Sequence, residues 1–229
     1  MTGYEGVGVV FDCDGVLADT NPCWDAAFAD VASEFGLALS QDRLSRLRGA
    51  ALGTAAGQIA RWSGRPLRPA DVLTALTEHL AAAIGAAQLT LPRGVRELLD
   101  QFYGVVCLGV ASNSPRSVLS QVLARLEITE YFAAAVSAQD VRRPKPAPDP
   151  YLAACAALGV DPRASFAIED SETGVRSAVA AGLTVIEVTE VTERAAAPGS
   201  ALQVTSLADP RIGALVLGSP ADAAAGEGR

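Results

Sequence analysis

The sequence has few aromatic residues, few charged residues and no excess of basic ones. Only 5% of its 229 residues are aromatic and 19% are charged, whereas 50% are hydrophobic. A sizeable core must therefore be built mainly from alanine, valine and leucine. The net charge of −8 argues against a nucleic-acid-binding or anionic-membrane surface, since both need a basic footprint. An anionic ligand would need a local positive site or a metal.

Paired cysteines, a signal peptide and a membrane span are also missing. The four cysteines form no Cys-x-x-Cys pair, and their spacing suits neither a zinc cluster nor a disulfide scaffold. The N-terminus lacks the basic start and apolar stretch of a signal peptide, and no apolar run approaches the length of a membrane span. We expect a cytoplasmic protein with no nucleic-acid or membrane partner. A monomer is favoured, although no sequence pattern determines the oligomeric state.

Runs of apolar and β-branched residues alternate with segments of helical periodicity along most of the chain. This alternation predicts an α/β fold with a doubly wound parallel sheet and right-handed crossovers. The predicted strands lie at residues 7–11, 105–111, 133–138, 165–168, 183–188 and, at an edge, 203–205.

The stretch after the first strand interrupts this alternation, because it carries several helical patterns and no strand pattern. It is too long for a crossover, so we expect an inserted all-helical cap domain at residues 19–90. The α/β core then comprises residues 1–18 and 91–218. The tail at 219–229 is rich in alanine and glycine, and we expect it to be disordered.

Two carboxylates follow the first predicted strand directly. The apolar run of residues 7–11 ends in Asp12-Cys13-Asp14-Gly15. Two carboxylates at the mouth of a hydrophobic strand repel each other and resist desolvation. A cation between Asp12 and Asp14, or a proton shared with a substrate, would explain their placement. An ordinary Asp-Gly turn is the alternative that this segment alone leaves open.

The second predicted strand, 105–111, is followed by Ser112-Asn113-Ser114-Pro115. Ser114 before a proline is typical of a helix N-cap with proline in the first turn. A helix N-terminus offers backbone N–H groups and a favourable dipole to an anion. We therefore expect the Ser112 hydroxyl and the Asn113 N–H to bind phosphate oxygens. The alternative is ordinary helix capping, which accounts well for a serine at position 114 and less well for one at position 112.

The loop after the third strand carries a lysine between prolines. Proline stands at every second position from 144 to 150, which keeps the residues before it extended and stiffens the loop. We expect a functional role for Lys145, which this loop would aim. Arg142 and Arg143 are expected to be solvated surface residues, and Asp149 is expected to cap the next helix.

The fourth strand is followed by a second pair of acids, Glu169 and Asp170. Alone, they would be explained as negative charge that favours a helix N-terminus. In open parallel sheets, however, ligands bind beyond the carboxyl ends of the strands. Acids, a lysine and a serine would therefore converge on one crevice. This composition suits a hard cation such as magnesium and a phosphoryl group, because phosphoryl transfer depends mostly on positioning and charge neutralisation.

These four segments together resemble the motifs of the haloacid dehalogenase superfamily of phosphohydrolases. The order and spacing match across nearly the whole core, and the helical insertion resembles the cap of the branch that holds phosphoglycolate phosphatases, sugar-phosphate phosphatases and β-phosphoglucomutase. The resemblance implies Mg²⁺-dependent hydrolysis of a small phosphomonoester. The matching segments are Phe11-Asp12-Cys13-Asp14-Gly15-Val16-Leu17, Ala111-Ser112-Asn113-Ser114, Lys145-Pro146-Ala147-Pro148-Asp149 and Ile168-Glu169-Asp170-Ser171 with Gly174.

The resemblance also implies a division of roles among the acids. Asp12 would be the nucleophile that forms an aspartyl-phosphate. Asp14 would protonate the leaving alkoxide and then activate water. Magnesium would be held by Asp12, the backbone carbonyl of Asp14 and Asp170, and Glu169 would orient these ligands.

Substrate recognition by the same resemblance involves Ser112 and Lys145, which would hold the transferring phosphoryl together with the backbone of Asn113. Arg48 is the candidate in the cap for substrate recognition, with a solvent-facing arginine as the alternative. Trp24 lies on an apolar stripe at helical spacing, and we expect it to pack in the core with no cofactor to bind, although it is also one of the few polar landmarks of the cap.

Three alternatives are weighed against a phosphatase. A sugar phosphomutase like β-phosphoglucomutase would carry a histidine just after the first motif, but residues 20–24 contain none, and the only histidine, His79, lies on a predicted cap helix. A phosphonate-cleaving enzyme would need a cap lysine, and residues 20–90 contain no lysine. A non-catalytic binding module would be expected to have lost at least one of the acids or the lysine.

Overall fold

The structure is a computed structural model, and it describes residues 6–189 and 195–218. The predicted disordered tail, 219–229, lies outside the described residues. The strands are β1 (Gly8–Phe11), β2 (Cys107–Ala111), β3 (Ala134–Val136), β4 (Phe166–Glu169), β5 (Thr184–Val188) and β6 (Ser200–Val204). The helices are α1 (Asn21–Glu34), α2 (Gln41–Ser45), α3 (Leu52–Trp62), α4 (Pro69–Ala86), α5 (Val95–Phe102), α6 (Arg116–Arg125), α7 (Asp149–Leu158), α8 (Glu172–Ala181) and α9 (Pro210–Leu217). Short 3-10 helices lie at Thr129–Tyr131, Ala138–Asp140 and Pro162–Ala164.

All six strands join one parallel sheet in the order β3-β2-β1-β4-β5-β6. The doubly wound α/β fold predicted from the sequence is confirmed. The strand order reverses at β1, which has β2 on one side and β4 on the other. A parallel sheet of this kind offers a crevice beyond the carboxyl ends of its strands at that reversal.

The last strand differs from its prediction. It runs over Ser200–Val204 and pairs with β5, whereas the sequence pattern indicated 203–205. β6 begins three residues before the predicted strand and ends one residue earlier than it, and its pairing with β5 shifts register between Val185 and Ile186. Serine and alanine at its start are weak strand formers, and the pairing with β5 overrides their local preference.

The central strand β1 is buried on both faces. Val9 and Phe11 belong to one hydrophobic cluster, and Val10 belongs to a second cluster with Tyr151 of α7 and Val185 of β5. Alternate residues of a strand point to opposite faces, so helices must cover both sides of the sheet. All residues of β1 are therefore apolar, and the first polar residue, Asp12, directly follows the strand.

Helices α1–α4, called here the helical insertion, lie between β1 and α5. Helices α1 and α3 pack on α4, and their buried residues include Phe28, Ile59 and Leu76. At the end of α4, the Arg125 guanidinium of α6 donates to the carbonyls of Ile84, Gly85 and Ala87. These bonds satisfy carbonyls that a helix C-terminus leaves unpaired and attach α4 to the core.

The described residues contain no helix that combines the length and the hydrophobicity needed to cross a membrane.

Candidate active site

The carboxyl ends of β1 and β4 bring three acidic side chains together. Asp12 follows β1, and its backbone N–H donates to the Ile168 carbonyl of β4 at 2.9 Å. Glu169 is the last residue of β4, and Asp170 comes next. Carboxylate oxygens of Asp12, Glu169 and Asp170 all lie within 4.8 Å of one another. Parallel pairing of β1 with β4 thus places residues more than 150 positions apart in one cluster.

Lys145 lies in the middle of this cluster. Its Nζ donates to Asp12 Oδ1 at 2.6 Å and to Glu169 Oε1 at 2.5 Å, and it lies 3.3 Å from the Tyr151 hydroxyl. Lys145 is only 5% exposed. It is the single lysine in the sequence. Burial lowers the pKa of Lys145, but the charges of Asp12 and Glu169 outweigh burial and raise the pKa above its ordinary value. The ammonium is therefore charged at any physiological pH.

The acids outnumber this cation. Burial raises the pKa of Asp12 well above its ordinary value, and the neighbouring carboxylates raise it further against the opposing effect of Lys145. Burial, followed by the charge of Glu169, raises the pKa of Asp170 to about 7. A divalent cation would neutralise this excess of negative charge. Carboxylate oxygens are the donors that hard cations such as Mg²⁺ prefer, so these residues fit a metal of that class.

Glu169 is held on both carboxylate oxygens. Its Oε1 accepts from Lys145 and from the Tyr151 hydroxyl, the latter at 2.6 Å. Its Oε2 accepts from the Ser171 hydroxyl at 3.2 Å. The side chain is fully buried. Glu169 is thus a fixed acceptor that orients Lys145, whereas Asp12 and Asp170 are more open to a ligand.

Two glycines make room for the carboxylates. Gly15 has φ of 84°, and a Cβ there would lie 2.0 Å from Asp170 Oδ2. At Gly174 of α8, a Cβ would lie 1.8 Å from Glu169 Oε1. Any larger residue would push the carboxylate out of place. Both glycines lie in the motif segments that the sequence singled out.

The Asp14 carboxylate accepts four hydrogen bonds. Its Oδ1 accepts from the Thr20 hydroxyl at 2.6 Å and from the Trp24 indole Nε1–H at 2.8 Å. Its Oδ2 accepts from the hydroxyls of Ser112 at 3.1 Å and Ser114 at 2.7 Å. Asp14 therefore links the start of the helical insertion with the loop after β2. Sequence reasoning missed the contact of Trp24 with Asp14, because the apolar spacing of Trp24 indicates packing.

Two helix caps differ from their predictions. Ser114 does not cap α6, whose N-cap is Pro115. The Ser114 hydroxyl donates to Asp14 Oδ2 at 2.7 Å and accepts no hydrogen bond from the first turn of α6. Asp149 is the first residue of α7, with Pro148 at the N-cap. Its carboxylate pairs with the Arg143 guanidinium at 2.9 Å, so this arginine is solvated but has a partner.

The Asn113 side chain connects three loops. Its Nδ2 donates to the Gly49 carbonyl at 2.8 Å and to the Lys145 carbonyl at 3.2 Å. Its Oδ1 accepts from the Lys145 N–H at 2.9 Å. Asn113 thus fixes the backbone that carries the lysine, and it contacts the helical insertion at the loop between α2 and α3. The predicted role of its N–H in phosphate binding stays a prediction.

Arg48 lies in that same loop, and its guanidinium pairs with the Asp25 carboxylate of α1 through Nε at 3.0 Å and through Nη2. Its side chain is half exposed. The structure thus ties Arg48 to the helical insertion itself rather than to the acidic cluster, and its role in substrate recognition stays a prediction. His79 is partly exposed, with Glu34 at 3.4 Å, as expected for a surface residue.

Comparisons with known proteins agree with this geometry. The family model of haloacid dehalogenase-like hydrolases matches residues 9–188. Hexitol phosphatase B of Escherichia coli (strain K12) is 33% identical over 193 residues, which cover 82% of this chain and 85% of that protein. Fructose-1-phosphate phosphatase YqaB of the same strain is 28% identical over 181 residues, covering 79% and 95%. The crystal structure of CbbY from Rhodobacter sphaeroides in complex with phosphate has a TM-score of 0.78 at 25% identity, covering 89% and 95%.

Proposed function

Because the chain belongs to the family of haloacid dehalogenase-like hydrolases, we propose that it is a metal-dependent phosphatase that hydrolyses a small phosphomonoester, such as a sugar phosphate, through an aspartyl-phosphate. It is a phosphoric monoester hydrolase, as its similarity to the two E. coli phosphatases supports. The single observation that carries the mechanism is the Asp12 carboxylate at the end of β1, held at Oδ1 by Lys145.

Asp12 is the nucleophile in this proposal. Burial raises the pKa of Asp12, whereas the Lys145 ammonium lowers it, and a bound divalent cation would lower it further and favour the ionised form. A carboxylate that is kept ionised and held in one orientation attacks phosphorus with little loss of entropy. One Asp12 oxygen forms a bond to phosphorus while the ester P–O bond breaks. Lys145 and the Ser112 hydroxyl, with the Asn113 N–H, balance charge on the phosphoryl oxygens.

Asp14 moves the protons. In the first step it gives a proton to the leaving alkoxide oxygen. In the second step it takes a proton from the water that attacks the aspartyl-phosphate, so that inorganic phosphate forms and the Asp12 carboxylate is restored. The hydroxyls of Thr20 and Ser114 and the Trp24 N–H support this role, because they stabilise the carboxylate that remains after the proton moves to the leaving oxygen.

Mg²⁺ is the proposed metal, and a bound divalent cation would supply positive charge next to the phosphoryl oxygens. Asp12, the backbone carbonyl of Asp14 and Asp170 would hold it. Glu169 would act by orienting Lys145, since Lys145, Tyr151 and Ser171 already contact its carboxylate.

We also propose that residues 19–90 form a cap over a core of residues 1–18 and 91–218. The hydrogen bond from Asn113 to the Gly49 carbonyl supports this arrangement, since it joins the helical insertion to the catalytic loops. A cap that closes over this crevice would exclude water from the reacting groups. Specificity would then depend on side chains of the helical insertion, among which Arg48 remains the candidate.

Phosphate release from a panel of phosphate esters, with and without Mg²⁺, tests the proposal. We expect turnover of sugar phosphates that chelation abolishes and Mg²⁺ restores. β-Glucose 1-phosphate tests the alternative phosphomutase, which would yield the 6-phosphate without net phosphate release. No turnover of any ester with any divalent cation would favour a binding module and contradict the proposal.

A further inference from the structure

Trp24 is a buried residue with one polar contact. It lies in the first turn of α1, is 8% exposed, and packs against Phe28 with ring centroids 5.7 Å apart. Its indole N–H donates to Asp14 Oδ1 at 2.8 Å. Most of the ring therefore packs like a core aromatic, while its only polar atom is directed to the carboxylate that we propose as the proton donor.

The two carboxylate oxygens of Asp14 accept two hydrogen bonds each, but from different kinds of donor. Oδ1 accepts from Thr20 and Trp24, and Oδ2 accepts from Ser112 and Ser114. An indole N–H only donates, whereas a hydroxyl either donates or accepts. Trp24 thus requires an acceptor at Oδ1. Both partners of Oδ2 are hydroxyls, which can rotate and accept when Oδ2 carries a proton.

We propose that Trp24 is a positioning residue of the hydrolytic reaction, whose N–H holds Asp14 so that Oδ2 is the oxygen that carries and delivers the proton. The proton moves from Oδ2 to the leaving alkoxide oxygen, and the resulting carboxylate keeps its bonds to Thr20 and Trp24. This inference rests on the proposed function, since it needs Asp14 as the acid.

The position of Trp24 adds a second consequence. Both donors to Oδ1 lie at or just inside the start of the helical insertion, and both donors to Oδ2 lie in the core loop after β2. The orientation of the Asp14 carboxylate is therefore tied to the placement of α1 on the core. A displacement of α1 would release Oδ1 while leaving the contacts of Oδ2.

The variant Trp24→Phe tests the role of the N–H, because phenylalanine retains an aromatic ring without a donor. Two substrates distinguish a loss of proton delivery to the leaving group from a general loss of activity. An alkyl phosphate such as a sugar phosphate has a leaving oxygen that needs a proton, whereas p-nitrophenyl phosphate releases a phenolate that does not. The value of kcat/KM reports the steps through the first phosphoryl transfer.

We expect W24F to lower kcat/KM for the alkyl phosphate by about tenfold or more, and that for p-nitrophenyl phosphate by less than about threefold. The matched control is Trp62→Phe, which removes the chain's other tryptophan. Trp62 lies at the end of α3 with the Arg43 guanidinium 5.3 Å from its ring centroid. This control is expected to leave both values unchanged.

Equal losses on the two esters in W24F would overturn the inference and leave the proposed function intact. A wild-type protein that releases phosphate from neither ester would overturn the proposed function and the inference with it.

A measurement without turnover covers the case in which W24F does not fold. In a W62F background, Trp24 is the only tryptophan, so fluorescence reports on its surroundings alone. Removal of the acceptor by Asp14→Ala should shift the emission maximum, whereas Asp42→Ala on the exposed surface of α2 should not. An emission maximum that D14A leaves unchanged would show that no such bond forms and would overturn the inference.

Discussion

The Lys145 ammonium donates to Asp12 Oδ1 at 2.6 Å, although the two residues are 133 positions apart in the chain. The contact is made where the loop after β3 meets the end of β1. Three buried groups surround the ammonium, namely Asp12, Glu169 and Tyr151. The site therefore depends on one cation that holds its nucleophile and its main orienting acid at once.

Replacement of Lys145 by methionine should remove both activity and stability. The variant leaves Asp12 and Glu169 buried without their counter-charge, and breaking a buried pair in this way costs about 3–5 kcal/mol of the free energy of unfolding. Loss of the charge that favours the ionised nucleophile and the phosphoryl group should lower kcat at least about a hundredfold. Urea unfolding and phosphate release measure the two effects. Wild-type turnover in K145M would contradict the assigned role of the lysine.

Substitution of Gly174 by alanine should disturb Glu169 directly, since the new Cβ would lie 1.8 Å from Oε1. Such overpacking costs about 1–3 kcal/mol, and turnover should fall with it because Glu169 orients Lys145. Gly53 and Gly57 of α3 are the matched controls, because a Cβ at either meets nothing within 4 Å. Alanine at these helical positions should stabilise the protein by about 0.5–1 kcal/mol. Thermal unfolding compares the three variants, and equal effects at all three positions would contradict this account.

Metal binding should stabilise the protein more at pH 8 than at pH 5.5. The pKa of Asp170 is raised to about 7, chiefly by burial. Between about pH 4 and pH 7, the folded state therefore keeps a proton on Asp170, whereas the unfolded state has released it. Stability of the metal-free protein should therefore fall as the pH rises through this range. Mg²⁺ would offset the loss once Asp170 is ionised.

Thermal unfolding with EDTA or with saturating Mg²⁺ at the two pH values measures this dependence. Asp170→Asn provides the control, since it lacks the titrating carboxyl group and should greatly reduce the effect of Mg²⁺ at both pH values. An increase in Tm with Mg²⁺ that is equal at pH 5.5 and pH 8 would argue against the acidic cluster as the metal site.

Replacement of Asn113 by alanine should loosen the loop that carries Lys145. The variant loses the acceptor for the Lys145 N–H and the donor for two carbonyls, and unpaired groups of this kind cost about 1–3 kcal/mol each when they stay buried. Hydrogen exchange should be faster at the Lys145 amide, and kcat should fall. Unchanged exchange at this amide would contradict the role assigned to the Asn113 side chain.

The positions of the main acids and of Lys145 were predictable because they depend on topology. Alternating strands and helices imply a parallel sheet, and its carboxyl ends place Asp12, Lys145 and Asp170 at one edge whatever the details of packing. The helical insertion was likewise predictable, since residues 21–86 contain helical periodicity and the structure forms α1–α4 there.

The contacts within the site were not predictable from local patterns. Trp24 has the spacing of a core residue and does pack in the core, but its N–H finds a partner on another element, which no periodicity encodes. Ser114 before a proline has the pattern of an N-cap, yet its hydroxyl turns to Asp14. The Arg48 guanidinium pairs with Asp25 of α1, a partner that no local pattern indicates. In each case a long-range partner determines where the polar atom points.

Trapping of the aspartyl-phosphate tests the central claim most directly. The wild-type protein is mixed with Mg²⁺ and a substrate that it turns over, quenched in acid and digested, and the peptide that contains Asp12 is analysed by mass spectrometry. We expect one phosphoryl group on Asp12 in the wild type, and neither this modification nor phosphate release in a folded Asp12→Asn variant. Magnesium-dependent phosphate release that persists in D12N would contradict Asp12 as the nucleophile.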